Sequence, residues 1–138
     1  MRYLLDTSVV VALLRNRPDW VRERLRRAVD TGGVLAISSV VLFELWYGVA
    51  RSGRRRENAA RLRAFLGGDI TVLPFDDGDA ARAGELRAEL DVGGKPIGPY
   101  DLLIAAQALR RGITLVTANT SEFGRVDGLA VEDWTTQR

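Results

Sequence analysis

Three carboxylates stand alone in apolar surroundings, and their type and positions suggest that they belong to a functional site. Asp6 directly follows a short apolar run, Glu44 interrupts an apolar segment, and Asp101 begins another. Each also has a simpler explanation: Asp6 as a helix cap or turn residue, Glu44 as the partner of an arginine, and Asp101 as an acid that favours a helix N-terminus. An ionised carboxylate in apolar surroundings is costly unless it finds a partner or a cation.

These acids are expected to meet at one edge of a sheet, because residues that follow parallel strands gather at the carboxyl ends of those strands. Crowded carboxylates repel one another, and a hard divalent cation offsets that repulsion. Oxygen ligands suit Mg²⁺ or Mn²⁺, and Mg²⁺ commonly keeps several waters and takes few protein carboxylates. The sequence therefore suggests that Asp6, Glu44 and Asp101 hold a metal that activates water or stabilises charge on a phosphoryl group.

The residue inventory excludes several other chemistries. The chain has no cysteine and no histidine, so it cannot build a Ser-His-Asp triad, a Cys-His pair, a zincin site or a paired-histidine ribonuclease site. No GxGxxG or GxxxxGK[ST] element is present to bind a nucleotide. A phosphatase of the haloacid dehalogenase type needs a second acid two residues after its nucleophile, and Ser8 stands there.

Charge and composition are weaker evidence about partners and location than the residue inventory is about chemistry. The net charge is +2, and Lys95 is the only lysine among 20 basic residues. Arginine suits bidentate contact with phosphate, but a bias in genome composition explains the excess equally well. The early Asp6 does not fit a signal peptide, no apolar run approaches the roughly 18 residues of a membrane span, and the lack of cysteine suits a reducing compartment. We therefore expect a cytoplasmic protein without a membrane partner.

Short apolar runs alternate with longer helical patterns, which predicts one α/β domain over residues 1–138. The expected architecture is a three-layer α/β/α sandwich with a mostly parallel central sheet. The predicted strands are 3–5, 34–37, 70–73, 114–116 and 129–131. The predicted helices are 9–14, 20–29, 40–50, 54–66, 76–90 and 99–111. Thr7 or Ser8 is expected to cap the first helix, and the third, which is apolar nearly all round, is expected to be buried.

The chain resembles the VapC-type PIN-domain toxins of bacterial toxin–antitoxin pairs over nearly its whole length. Each motif that carries the resemblance is only moderately specific, but all of them in this order are typical of that family. The motifs are Leu4–Ser8, Ile37–Ser39, Glu44-Leu45, Gly48, Gly98–Ala105, Val116–Phe123, Asp127–Leu129 and Val131–Trp134.

The resemblance implies Mg²⁺-dependent endonucleolytic cleavage of RNA, with Mn²⁺ as a possible substitute. It also implies a homodimer, a higher toxin–antitoxin assembly, and a VapB-type antitoxin that covers the active site. Asp6, Glu44 and Asp101 match the three metal-binding acids of the family. Thr7 or Ser8 matches its hydroxyl beside the first acid, and Thr117 matches the threonine after the fourth strand.

One position departs from the family pattern. Many PIN domains carry a fourth acid where Asn119 stands, and an amide adds no charge. Glu122 lies three residues further on and is a candidate for the missing carboxylate. Because Asn119 itself adds no charge, one Mg²⁺ ion is a safer expectation than two. The alternative function, which Asn119 favours and the intact three-acid set opposes, is a PIN-like scaffold that binds RNA or a protein without cutting.

A partner surface is also suggested by apolar residues of the first and third helices, which suit an amphipathic helix of an antitoxin. The alternative is that these side chains belong to the core. The residues are Val9, Val10, Leu13, Trp46 and Tyr47.

Overall fold

A five-stranded sheet forms the middle layer of the structure, a computed structural model that describes residues 1–136. The strands are β1 (Arg2–Leu5), β2 (Val34–Ser38), β3 (Ile70–Leu73), β4 (Thr114–Val116) and β5 (Val131–Glu132). All neighbouring pairs are parallel, in the order β3-β2-β1-β4-β5. The prediction of a mostly parallel sheet is therefore confirmed.

Seven helices within the described residues flank this sheet and complete the α/β/α sandwich. They are α1 (Thr7–Arg15), α2 (Trp20–Asp30), α3 (Ser39–Arg51), α4 (Arg55–Leu66), α5 (Asp77–Val92), α6 (Pro99–Arg111) and α7 (Thr120–Phe123). In the described part of the chain, no helix is both long enough and apolar enough to span a membrane.

The central strand β1 brings the first acid to the carboxyl edge of the sheet. Leu4 and Leu5 are fully buried, as expected for a parallel strand covered on both faces. Leu4 pairs with Ala36 of β2 on one side and with Leu115 of β4 on the other. Asp6 follows directly, and its backbone N–H donates to the carbonyl of Val116 at 2.8 Å.

The helices that carry the other two acids begin at residues suited to helix starts. The hydroxyl of Ser38 accepts from the backbone N–H of Val40 at 3.0 Å and thereby caps α3. Pro99 occupies the first turn of α6, where its missing N–H and fixed φ are favourable. Glu44 lies in the second turn of α3 and Asp101 in the first turn of α6.

Some boundaries differ from the predictions. Asp6, not Thr7 or Ser8, caps α1, because its carboxylate accepts from the N–H of Thr7. The last strand begins at Val131, whereas the pattern predicted residues 129–131. The single-turn helix α7 was not predicted, because four residues are too short for a helical periodicity.

The expectation that α3 is buried all round was wrong. Val41 and Leu45 face the core, but the side chains of Phe43 and Tyr47 are 52% and 54% exposed. An apolar sequence alone therefore did not reveal that this helix has a solvent-facing aromatic stripe.

Candidate active site

Asp6 is held rigidly at the carboxyl edge by hydroxyl and backbone donors. Its side chain is 5% exposed. Oδ1 accepts from the N–H of Thr7 at 2.8 Å, and Oδ2 accepts from the hydroxyl of Thr117 at 2.7 Å. Burial raises the pKa of this carboxyl, these hydrogen bonds oppose the rise, and the charge of Glu122 adds to it.

Glu44 is tied to the first acid through the residue that follows it. The hydroxyl of Thr7 donates to Oε1 of Glu44 at 2.9 Å, across a separation of 37 positions. Burial raises the pKa of Glu44, the Thr7 hydrogen bond opposes that rise, and the charge of Asp6 reinforces it. The simpler explanation, an ion pair with arginine, is not realised, because no such pair involves Glu44 within residues 1–136.

Asp101 completes the set predicted from the sequence. Burial is the largest cause of a rise in its pKa to about 7, and the charges of Asp6, Glu122 and Glu44 contribute to that rise in this order of size. An acid that only favoured a helix N-terminus would have a lowered pKa. Because the charges of Asp6 and Glu44 contribute to this rise, and the charge of Asp6 also acts on Glu44, the three predicted acids lie within electrostatic reach of one another.

Glu122 is the fourth acid, and Asn119 positions it. Oε1 of Glu122 accepts from the backbone N–H of Gly98 at 2.5 Å, and Oε2 accepts from the amide of Asn119 at 2.8 Å. These bonds hold the pKa of Glu122 below its usual range, and a hydrogen bond shared with Asp101 contributes. The site thus contains four carboxylates despite the amide at position 119.

Thr117, which directly follows β4, is linked to Asp6 by a hydrogen bond. Its fully buried hydroxyl donates to Asp6 and accepts from the backbone N–H of Asn119 at 3.0 Å. Ser8 makes a second such link, because its hydroxyl accepts from the N–H of Ala118 at 3.2 Å and lies 3.4 Å from Oδ2 of Asp6. Both bridges fix the orientation of the first carboxylate.

We call Asp6, Glu44, Asp101 and Glu122 the acidic cluster. Its donors are carboxylate oxygens, and their mutual repulsion favours a hard divalent cation. Within residues 1–136, no three acidic side chains already form a ready-made set of metal ligands. Carboxylate oxygens are the ligand type that Mg²⁺ and Mn²⁺ take, and Mg²⁺ needs few of them because it keeps several waters.

Sequence reasoning missed two contributors to this cluster. One is the backbone N–H of Gly98, and a Cβ at that position would lie 3.4 Å from Oε1 of Glu122. The other is the hydroxyl of Thr7 as a specific partner of Glu44. A backbone donor has no signature in the sequence, and Thr7 looked like a cap because it follows a strand.

A groove of about 250 Å³ adjoins the acidic cluster between α1, α3 and α4. Thr7 and Glu44 line it together with the side chains of Arg15 and Arg61. Its apolar lining consists of Val11, Leu14, Leu45, Val49 and Leu62. The groove therefore combines an apolar floor with both acidic and basic groups.

Only part of the predicted partner surface is exposed to solvent. Val9, Val10 and Leu13 belong to the core, which contradicts their proposed role as surface. Trp46 is partly buried, with the guanidinium of Arg63 5.4 Å from its ring centroid, and only Tyr47 is well exposed. The residues of α1 that face the groove are Val11 and Leu14 instead.

Comparison with known proteins gives the class to which this arrangement belongs. The PIN domain family matches residues 3–129. The chain is 42% identical over 134 residues to the tRNA(fMet)-specific endonuclease VapC of Shigella flexneri, covering 97% of this chain and 98% of the relative. It is 39% identical, over the same length and coverage, to Ribonuclease VapC2 of Rickettsia felis.

Solved structures agree with these relatives. The crystal structure of VapBC2 from Rickettsia felis, bound to a DNA fragment from its promoter, contains a chain that matches with a TM-score of 0.90 and 37% identity. That match covers 97% of this chain and 99% of the other. The family match, the relatives and the fold therefore show that the chain is a PIN domain. More narrowly, the chain belongs to the VapC family of PIN-domain ribonucleases.

Proposed function

We propose that the chain is a Mg²⁺-dependent endoribonuclease and the toxin of a VapBC-type toxin–antitoxin pair. The observation that carries this proposal is the acidic cluster, in which Asp6, Glu44 and Asp101 interact electrostatically at the carboxyl edge of the sheet. Four carboxylates repel the phosphate backbone of RNA, so cleavage at this place requires a cation that offsets their charge.

The chain's own residues bind and orient the reacting groups. Asp6, Glu44 and Asp101 would hold the cation, with Thr117 and Thr7 fixing the directions of the first two carboxylates. Bound Mg²⁺ would supply charge stabilisation at a phosphoryl oxygen and lower the pKa of a bound water. Glu122 keeps its charge through Gly98 and Asn119, and it adds to the negative potential that retains the cation.

A non-cleaving scaffold remains the second candidate, since Asn119 stands where a fourth acid is common. The hydrogen bond from its amide to Glu122 weakens that reading, because the fourth carboxylate is supplied from position 122. The scaffold function predicts RNA or protein binding without any Mg²⁺-dependent cleavage.

The chemistry of the product ends tests the proposed reaction. With no histidine in the chain, water activated at the cation is expected to attack the phosphorus, so the 2′-hydroxyl is not the nucleophile. The products should carry 5′-phosphate and 3′-hydroxyl ends. The measurement is end mapping after incubation of the purified chain with MgCl₂ and a panel of structured RNAs. Initiator tRNA comes first in that panel because a relative is named tRNA(fMet)-specific.

Two controls sharpen this test. EDTA should stop cleavage, and MnCl₂ should restore it, because both cations favour oxygen ligands. A substrate with a single 2′-deoxy nucleotide at the mapped position should still be cut. Products with 2′,3′-cyclic phosphate, or loss of cleavage on the deoxy substrate, would show that the internal hydroxyl attacks and that this mechanism is wrong.

An antitoxin partner is proposed from the relatives that crystallised as VapBC complexes. The groove beside the acidic cluster suits an amphipathic segment, since apolar residues form its floor and Arg15 and Arg61 can pair with acids. A basic side chain of the same segment would be attracted by Glu44 and its neighbours. A homodimer and a larger toxin–antitoxin assembly are further parts of this proposal.

Growth of a bacterial host tests the toxin role. Expression of the chain alone should arrest growth, and co-expression of the small protein encoded beside it should reverse the arrest. The matched control is the Asp6→Asn variant, which is expected to be harmless at equal protein level. A wild-type chain that cuts RNA in vitro but leaves growth unaffected would instead indicate a nuclease with a housekeeping role.

A further inference from the structure

Two aromatic rings from different helices form an exposed pair on the surface. Phe43 of α3 and Tyr100 of α6 are 52% and 46% exposed, and their ring centroids lie 5.5 Å apart with planes tilted by 58°. Most aromatic side chains of this size are largely buried. Because about half of each side chain is exposed, the pair offers ring surface to a binding partner.

The pair lies beside the acidic cluster. Phe43 immediately precedes Glu44, and Tyr100 immediately precedes Asp101. These two acids come from different helices, and the charge of Glu44 contributes to the raised pKa of Asp101. The aromatic pair therefore occupies the border of the place where the scissile phosphate of an RNA would lie.

The aromatic surface continues away from the cluster and ends at an arginine. Tyr47 follows Phe43 one helical turn later on α3 and is 54% exposed. The guanidinium of Arg51 donates to the hydroxyl of Tyr47 at 3.0 Å and lies 5.8 Å from its ring centroid. Aromatic faces followed by a cation suit single-stranded RNA, which stacks its bases and presents phosphates.

The size of the surface favours nucleobases over a second protein. An aromatic side chain buries about 150–250 Å², so three half-exposed rings offer roughly 300 Å² of apolar area. A standard protein interface takes about 800 Å² from each partner. The aromatic area alone falls well short of that value, whereas flat rings match the faces of unpaired bases.

We propose that Phe43 and Tyr100 stack on unpaired bases that flank the scissile phosphate and thereby position the RNA. This inference rests on the proposed ribonuclease function. The two side chains act in substrate binding and specificity, not in the bond-breaking step. Loops and other unpaired segments would then be the cleavable parts of a structured RNA.

Leucine and phenylalanine variants test stacking separately from apolar bulk. Tyr100→Leu and Phe43→Leu keep apolar area but remove the ring face, so each should raise KM about tenfold with little change in kcat. Tyr100→Phe keeps the ring and should behave as the wild type. Steady-state cleavage of an RNA that the wild type cuts supplies both constants, and thermal melting confirms that each variant folds.

An abasic nucleotide identifies the partner of each ring. RNAs with one abasic site, placed in turn at each position around the cut, should be poorer substrates of the wild type at the stacked positions. On the RNA that lacks the base stacked on Tyr100, the Tyr100→Leu variant should show no further rise in KM, because the interaction is already absent.

The alternative occupant of this surface is a second copy of the chain. Leucine variants that leave both kinetic constants unchanged but shift the molar mass measured by light scattering would assign the patch to a protein interface and overturn the proposal. A fall in kcat at constant KM would overturn it as well, because the rings would then act through the acids. If the wild type cuts no RNA with Mg²⁺, the proposed function itself fails, and that outcome is distinct from both.

Discussion

Replacing Asp6 with asparagine is expected to reduce RNA cleavage by at least about a thousandfold. This side chain lies at the centre of the acidic cluster, where it is 5% exposed and oriented by Thr117. Loss of its charge weakens cation binding, and a bound metal contributes several kcal/mol to stabilising a phosphoryl transition state. About 4 kcal/mol corresponds to a factor of roughly a thousand. Single-turnover cleavage in MgCl₂ measures the effect.

The same substitution should leave the fold intact. Asparagine caps helices about as well as aspartate, so the bond from the N–H of Thr7 that begins α1 is preserved. Burial and the charge of Glu122 both disfavour the ionised form of Asp6. The melting temperature of Asp6→Asn should therefore equal or exceed that of the wild type, as is common when a strained functional group is neutralised.

A readout independent of activity comes from Asp101. In metal-free protein, Asp6→Asn removes a charge that raises the pKa of Asp101, so that carboxyl should titrate below the value of about 7 that it has in the wild type. Side-chain NMR titration measures this change. The matched control is Asp19→Asn at the start of α2, whose side chain makes no capping bond. If Asp6→Asn cuts RNA as fast as this control, the acidic cluster is not the active site.

The positions of the three acids were predictable because each is a lone charge in an apolar segment. Asp6 follows a buried strand, and the carboxyl-edge rule then gave its location without coordinates. Asp101 was predicted from the helix start at Pro99 and the buried run that follows. In both cases a local sequence pattern predicts the strand or helix that carries the acid. The parallel arrangement of the sheet then predicts that the acid lies near the carboxyl ends of the strands.

The links between these acids were not predictable in the same way. The hydrogen bond from Thr7 to Glu44 joins residues 37 positions apart, and the bond from Thr117 to Asp6 spans 111 positions. Such pairs depend on how helices pack, and hydrophobic periodicity carries no information about them. The support that Asn119 gives to Glu122 is local, but the amide looked like a missing acid because only charge was considered.

The exposure of Phe43 shows a different limit of predicting structure from sequence. An apolar helix is predicted to be buried on the assumption that apolar residues have no other role. The aromatic stripe on α3 breaks that rule at the border of the acidic cluster. Departures of this kind are expected at functional surfaces, where selection for binding opposes the hydrophobic pattern.

A fully buried aspartate outside the acidic cluster should control stability. Asp79 of α5 is 0% exposed, and both of its oxygens accept from arginines of α6. Arg110 lies at 2.9 Å from Oδ1 and Arg111 at 2.9 Å from Oδ2, and the amide of Gln107 donates to Oδ2 at 3.3 Å. Asp79→Asn should lower the free energy of unfolding by about 2–4 kcal/mol, because its NH₂ group would face these donors.

This network also gives a pH dependence with a definite sign. Burial opposes the ionisation of Asp79, but hydrogen bonds and the charge of Arg111 outweigh it and lower the pKa from 3.8 to about 2. A lowered pKa means that the stabilisation is complete above about pH 4 and is lost as the pH falls towards 2. The shift corresponds to about 2 kcal/mol. Urea unfolding of the wild type between pH 2 and 6 should show this loss.

The matched control for this prediction is Asp77→Asn in the first turn of the same helix. Asp77 is exposed and favours the helix dipole, so its substitution should cost only about 0.5 kcal/mol. The unfolding free energy of the Asp79→Asn protein should also fall less between about pH 4 and pH 2 than that of the wild type, because the titrating group is gone. Equal stabilities of the two variants at pH 6 would show that the network between α5 and α6 contributes nothing beyond a surface ion pair, which is worth about 0–1 kcal/mol.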